Sequence, residues 1–260
     1  MTKNRLTLLY LTLLTLLLTH VTQFVFFMKL RPTDILWPAQ WIPLSVWFII
    51  GNTMIALSLL SNFLLAIKSK HQILRVTSFL SLFFLLAMYF SYGKVNHGYH
   101  QWLYILFALS IPRSFAKETE GWWQQNLAGI FTLTYFCSGI WKLRGFFDFI
   151  FTYKEYNIAN YLRIQINNAT LDNGPSHFIR FFNSPTSDWV LTIGTIMVIA
   201  LQVMPFLFVF KKKYLPAFIC VAIFHIMTLV SLKIWFFQSI ILAAILLLDF
   251  DQQEHENKEN

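Results

Sequence analysis

The stretch WVLTIGTIMVIALQVMPFLFVF, from Trp189 to Phe210, runs directly into Lys211-Lys212-Lys213. It carries no charged side chain. At about 1.5 Å of rise per helical residue it covers the roughly 30 Å hydrocarbon core of a bilayer. The three lysines that end it belong in water, and lysine and arginine accumulate on the cytoplasmic side of membrane spans. This one stretch therefore sets both the fold class and an orientation.

The same reading extends over the whole chain. Apolar segments occupy roughly 6–28, 44–67, 73–92, 98–112, 122–141, 188–210, 215–232 and 234–250. The fourth is short and ends at Ile111-Pro112, because the residue before a proline is pushed out of the helical region. Lys233 divides the last two, which as one helix would be too long for a bilayer. Hydrophobic residues make up 57% of the 260 and charged residues 12%, about half the charged share of a soluble domain. The expectation is an all-α, polytopic membrane helix bundle of about eight transmembrane segments. It covers 1–250, with an outer polar segment at 142–187 and an acidic, disordered cytoplasmic tail at 251–260.

The net charge of +8 comes mostly from lysines and arginines flanking apolar runs. No basic stripe with interleaved aromatics occupies a soluble segment, so nucleic acid is excluded as a partner. Lys3 and Arg5 before a Leu/Thr-rich run resemble a signal peptide, yet no small-residue cleavage site follows and a retained first helix is expected. With eight spans, Lys3/Arg5, Lys68/Lys70/Arg75, Arg113/Lys117 and Lys211–Lys213 share one side. Both termini are then cytoplasmic, and a bacterial inner membrane is the expected location. Cys137 and Cys220 both fall inside spans, where a packed thiol is expected rather than a disulfide. In the outer segment, residues 154–166 have the pattern of an amphipathic helix lying on the membrane.

No Asp or Glu lies in the middle of a span, which argues against an ion-coupled carrier. The ionisable groups at membrane depth are histidines: His20 in the first segment and His225 near the middle of the seventh. His97 and His100 open the fourth segment and Lys142 closes the fifth, all on the outer side. A pocket in the outer half would bring His97, His225 and Lys142 together. Each residue also fits a plainer role: Lys142 as a snorkelling anchor, His97 as a loop histidine facing water, His225 as an interhelical hydrogen bond. His97-x-x-His100 has helical spacing, but no Cys or carboxylate lies nearby in sequence, and no metal is expected.

Three elements carry a resemblance. Tyr135-Phe136-x-x-Gly139-x-x-Lys142-Leu143 is similar to the Tyr-Phe-x-x-Gly-x-x-Lys-Leu signature of the membrane domain of vitamin K-dependent gamma-glutamyl carboxylases. Asn96-His97-x-Tyr99 resembles the Asn-His-x-Tyr element of that family. Phe224-His225, eight residues before the step Lys233-x-Trp235-Phe236-Phe237, resembles its late Phe-His helix. The order runs in register over about 90–250, and the wider group is the HTTM (horizontally transferred transmembrane) family.

The resemblance implies that Lys142 is the base that deprotonates a quinol, reduced vitamin K or menaquinol. O2 and CO2 would be co-substrates, and no metal takes part. His97 would serve as acid or as donor to a developing oxyanion, and His225, Trp141 and Tyr99 would shape the quinone pocket. The implied partners are membrane lipid, the quinone and a carboxyl acceptor. Desolvation by Trp141, Phe146 and Phe147 would bring the Lys142 amine toward the neutral form that base catalysis needs. Two departures stand out. Trp141 occupies the place of a second lysine, and nothing here corresponds to the family's large lumenal domain, so a small or membrane-bound acceptor is expected. The alternative reading is a non-catalytic lipid- or quinone-binding module, or an accessory subunit of a membrane complex.

Overall fold

Long apolar runs with few helix breakers fold as helices, because in lipid only intrahelical bonds satisfy the backbone. The computed structural model describes residues 3–68, 70–92, 97–111, 120–152, 154, 157–174, 178–234 and 236–248. Among them are ten α-helices, three one-turn 3-10 segments and no strand. The chain divides into two units, Met1–Leu127 and Ala128–Asn260.

The first unit contains α1 (Lys3–Met28), α2 (Trp47–Ile67), α3 (Gln72–Phe90) and α4 (His97–Ser110). Small and polar residues let these helices approach one another, as packing in lipid requires. A Cβ built on Gly51 of α2 would lie 2.6 Å from Met28 Sδ, so any larger residue there must displace the buried Met28 side chain. Between α2 and α3, buried Ser78 donates to Asn62 Oδ1 at 3.0 Å, and Asn62 Nδ2 donates to the Ser58 carbonyl at 2.7 Å. The α1–α2 connection is pinned to the end of α3. Thr33 and Asp34 N–H both reach the Ser91 carbonyl at 3.1 Å, and Trp47 Nε1 donates to Tyr92 Oη at 2.7 Å.

The second unit contains α5 (Glu120–Phe151) from Ala128 onward, α6 (Ile158–Asn173), the single turn α7 (Ile179–Phe182), α8 (Asp188–Phe210), α9 (Tyr214–Leu232) and α10 (Phe237–Leu247). Helices α8 and α9 form a hairpin closed at the lysine triplet, where Lys213 N–H donates to the Phe208 carbonyl at 2.8 Å. Asn157 caps α6 by accepting from Ala159 N–H at 3.1 Å. Ala159 and Ile166 of α6 pack on Leu191 of α8 with Leu162 alongside. A Cβ on Gly194 would lie 2.9 Å from Leu162 Cδ2, so glycine lets α6 close onto α8.

Five of the described helical segments are long and apolar enough to cross a membrane: Lys3–Met28, Leu44–Ile67, Gln72–Phe90, Pro185–Phe210 and Tyr214–Leu232. This is a membrane protein built of helices. Three of the eight expected segments fall outside that set. Helix α4 has 14 residues and α10 has 11, too few to cover about 30 Å. Helix α5 is long enough, but Gln124, Gln125, Asn126, Lys142 and Arg144 interrupt its apolar character.

Two local expectations shift. Helix α5 does not stop at Lys142; it continues through Arg144 and Asp148 to Phe151. Charged side chains end a membrane span without ending a helix. The amphipathic helix expected at 154–166 begins later, at Ile158, behind the Asn157 cap, and packs its apolar face on α8. The expected cytoplasmic tail at 251–260 lies outside the described residues.

Candidate functional site

Residues at i, i+3, i+4 and i+7 lie on one face of a helix. On α5 these positions are Tyr135, Ser138, Gly139 and Lys142. That face is turned to α8 and α9. Gly139 sets the approach: a Cβ there would lie 2.8 Å from Val203 Cγ2 and 3.1 Å from Gln202 Cβ. The glycine of the signature is therefore a contact point with α8.

Two polar groups follow along this face. Lys142 Nζ donates to Ser138 Oγ at 2.9 Å, and Gln202 Nε2 donates to the same oxygen at 3.3 Å. Among the described residues, Ser138 is the one side-chain partner of the Lys142 amine and no carboxylate pairs with it. Three residues back, about 4.5 Å along the axis, Tyr135 Oη and His225 Nε2 share a buried 2.6 Å hydrogen bond. Phe131, Phe224 and Phe236 frame that pair, with ring centroids 5.2 Å and 6.2 Å from Tyr135 and 5.1 Å from His225 respectively. Gln202 is only 3% exposed and His225 4%, yet Gln202 Oε1 and His225 Nδ1 have no hydrogen-bond partner. Buried polar atoms are rarely left so.

Helix α6 closes over the backbone at the lysine. Tyr161 Oη donates to the Lys142 carbonyl at 3.1 Å, and its ring meets Phe146 and Phe149 edge-on at 5.7 Å and 5.8 Å. Gly145 leaves room for it, since a Cβ there would lie 3.3 Å from Tyr161 Oη. Burial holds the Tyr161 phenol above its ordinary pKa. Next to it, Arg163 anchors α6: Nε donates to the Phe182 carbonyl at 2.9 Å and the guanidinium pairs with Asp188 at the start of α8. Asn157 Nδ2 holds the other Asp188 oxygen at 3.0 Å.

The expected site residues meet different outcomes. Lys142 and His225 both serve the same face of α5, through Ser138 and Tyr135. Trp141 does not join them. One residue on, a helix has turned by about 100°, and Trp141 is 71% exposed with the Arg144 guanidinium 5.5 Å from its ring centre. Phe147 is also exposed, whereas Phe146 is half-buried against Tyr161 of α6. Tyr99 belongs to the first unit, buried against Phe24 and His20 with centroids at 5.6 Å and 5.7 Å. His97 is the first residue of α4, but its side chain lies outside the described residues, as does Asn96.

Ser138, Gln202, Tyr161 and the Tyr135 hydroxyl escaped the sequence reading. Gln202 had a visible signal, as the one amide in an otherwise apolar run from Trp189 to Phe210. Among the described residues, no three His, Cys, Asp or Glu side chains group together as metal ligands. No protein-family model, curated protein or solved structure matches the chain.

Proposed function

We propose that this chain is a quinol-dependent membrane enzyme of the HTTM type, in which Lys142 is the base. The observation that carries the reading is the setting of Lys142: a half-buried amine whose partner is a neutral hydroxyl, on the helix face that also presents the Tyr135–His225 pair. Lysine acts as a base only as a free amine, and among the described residues no carboxylate pairs with Lys142 to hold it as an ammonium. Arginine in its place would stay protonated.

The residues suit a ring bearing oxygens. Gln202 Oε1 and His225 Nδ1 are buried and without partners beside Ser138 and Tyr135; a ligand hydroxyl can donate to Oε1, and a hydroxyl or carbonyl oxygen can answer Nδ1. When bound, a quinol would reduce O2, giving quinone epoxide and water, and that oxidation would drive loss of a C–H proton from the acceptor, with CO2 adding at the same carbon. The chain's own part is narrower. Lys142 takes the first phenolic proton at Nζ, His225 and Gln202 orient the ring, and the phenylalanines around Tyr135 keep water out. The resemblance alone assigns His97 the part of donor to a developing oxyanion. The acceptor is small or membrane-bound, the location a bacterial inner membrane, and both termini are cytoplasmic.

A second reading has its own observation. Trp141 and Arg144 flank Lys142 and are exposed, which is the pattern of an interfacial anchor. On that reading the chain binds lipid or quinone without turnover, alone or as an accessory subunit. Epoxide formation from menaquinol under air separates the two. Epoxide lost in Lys142→Ala supports the enzyme, whereas no epoxide from well-folded wild-type protein across several quinols supports binding without turnover, with Lys142 as an anchor.

A further inference from the structure

Tryptophan gathers where headgroups meet acyl chains, and lysine and arginine reach past it to the phosphates. The connection between α1 and α2, residues 29–46, has this composition. Leu30, Ile35, Leu36, Trp37, Trp41 and Leu44 are all exposed, Trp37 at 61% and Trp41 at 67%. Lys29 and Arg31 are exposed beside them, with Asp34. So many large apolar side chains on one short connection mark a surface that something covers.

The inner side of the connection is built onto α3. Pro38 and Ala39 are buried. Thr33 N–H, Asp34 N–H and Thr33 Oγ1 all donate to the Ser91 carbonyl at 3.1 Å, and Leu36 N–H donates to Ser91 Oγ at 3.0 Å. Tyr92 Oη donates to the Leu30 carbonyl at 3.0 Å. Further on, Gln40, Trp41 and Ile42 N–H return to the Leu36, Pro38 and Ala39 carbonyls at 3.2, 3.2 and 2.9 Å. Backbone groups need such partners where water is scarce. From this mount the Trp37 ring reaches back along α3 and meets Phe83 edge-on, with centroids 6.1 Å apart. Phe83 lies about 10 Å inside the Phe90 end of α3, a helix long and apolar enough to cross a membrane. The Trp37 ring is therefore level with acyl chains, and Trp41 stands against it at 5.8 Å.

We propose that residues 29–46 are an interfacial element set into one leaflet, a phospholipid-binding face of the protein. Trp37 and Trp41 lie against acyl chains, and Lys29 and Arg31 stand at the phosphates. The occupant is lipid because both ends of the segment run straight into spans, Lys3–Met28 and Leu44–Ile67, so the bilayer reaches it whatever else the chain binds. The element also covers the end of α3, whose 19 residues make about 28 Å of helix, slightly less than the hydrocarbon core. It does not depend on the reading of Lys142.

The test is the depth of single nitroxide labels on the full-length protein in phospholipid nanodiscs. Cys137→Ser and Cys220→Ala clear the background, and Arg31→Cys, Trp37→Cys, Trp41→Cys or Leu44→Cys then carries the label. Power saturation compares collisions with O2, which concentrates among acyl chains, against collisions with a water-soluble nickel chelate. Labels at 37, 41 and 44 should meet O2 in preference to nickel, and the label at 31 should show the reverse. Nickel access at 37, 41 and 44 equal to that at 31 would place the segment in water and overturn the proposal. Labels shielded from both reagents would mean that protein covers the face, which overturns it as well. Leu44→Cys keeps both indole rings in place, so it decides the question even where a tryptophan variant fails to fold; thermal unfolding shows which variants are folded.

Discussion

Tyr135 Oη lies 2.6 Å from His225 Nε2, joining α5 to α9 by a buried hydrogen bond between residues 90 apart in the chain. The other imidazole nitrogen has no partner, so this bond is what fixes the ring. Interhelical hydrogen bonds in membrane proteins are modest, and a double-mutant cycle is the clean way to weigh one. Tyr135→Phe and His225→Leu should each destabilise the protein in detergent. Their coupling should be about 0.6–1.7 kcal/mol. Strict additivity would show that the pair does not form in the membrane.

Gly139 is the second test of the α5 face. A methyl group there meets Val203 Cγ2 at 2.8 Å, and Val203 is β-branched and cannot turn aside cheaply. Gly139→Ala should cost about 1–3 kcal/mol as an overpacked contact. Val203→Ala on top of it should restore most of the loss. If Gly139→Ala is neutral by thermal unfolding, α5 and α8 are not in the described contact.

The Arg163–Asp188 pair holds α6 to the start of α8, with further bonds to the Phe182 carbonyl and Asn160. Releasing it should loosen the connection between α5 and α8 rather than the spans. Arg163→Ala, and to a lesser extent Asp188→Asn, should speed limited proteolysis in 154–184 several-fold while leaving the helical content measured by circular dichroism. Lysine at 163 should rescue poorly, because it cannot fork to several oxygens at once. Unchanged cleavage would mean that apolar packing alone secures α6.

Tyr161 supplies a pH signature. Burial raises its pKa in the folded protein, so the protonated phenol is the form that folding favours. A group raised on folding contributes fully below its unfolded pKa, near 10, and that contribution is lost as pH climbs through the folded value. Wild-type melting temperature should therefore drop between about pH 9 and 11 more steeply than that of Tyr161→Phe. The two should run parallel below about pH 9. Parallel curves throughout would remove the Tyr161 bond to the Lys142 carbonyl from the account.

How far the sequence could be read depends on the range of each interaction. Trp189–Phe210 and the lysines after it declare a span because hydropathy and charge are properties of neighbours in the chain. The i, i+3, i+4, i+7 face of Tyr135, Ser138, Gly139 and Lys142 was equally open to view. What faces it was open only in part: His225 was expected beside Lys142, whereas Gln202, which reaches Ser138 from 64 residues away, was not. Trp141 differs for the opposite reason: adjacency in sequence places it on another side of the helix, exposed beside Arg144. The extension of α5 past Lys142 was hidden because a charge marks where lipid ends, and the backbone helix has its own end at Phe151. Asn157 was the missed signal for α6, an N-cap directly ahead of Ile158.

On the proposed function, Lys142 starts the oxidation of a quinol. Purified protein in nanodiscs, supplied with reduced menaquinol in air-saturated buffer, should form quinone epoxide while consuming one O2 per epoxide. Lys142→Ala and Lys142→Arg should both lower the initial rate by at least about 100-fold, within the range for loss of a general base, while melting like the wild type. Epoxide formed at the wild-type rate by folded Lys142→Arg would contradict the account, since an arginine at that position cannot serve as the base.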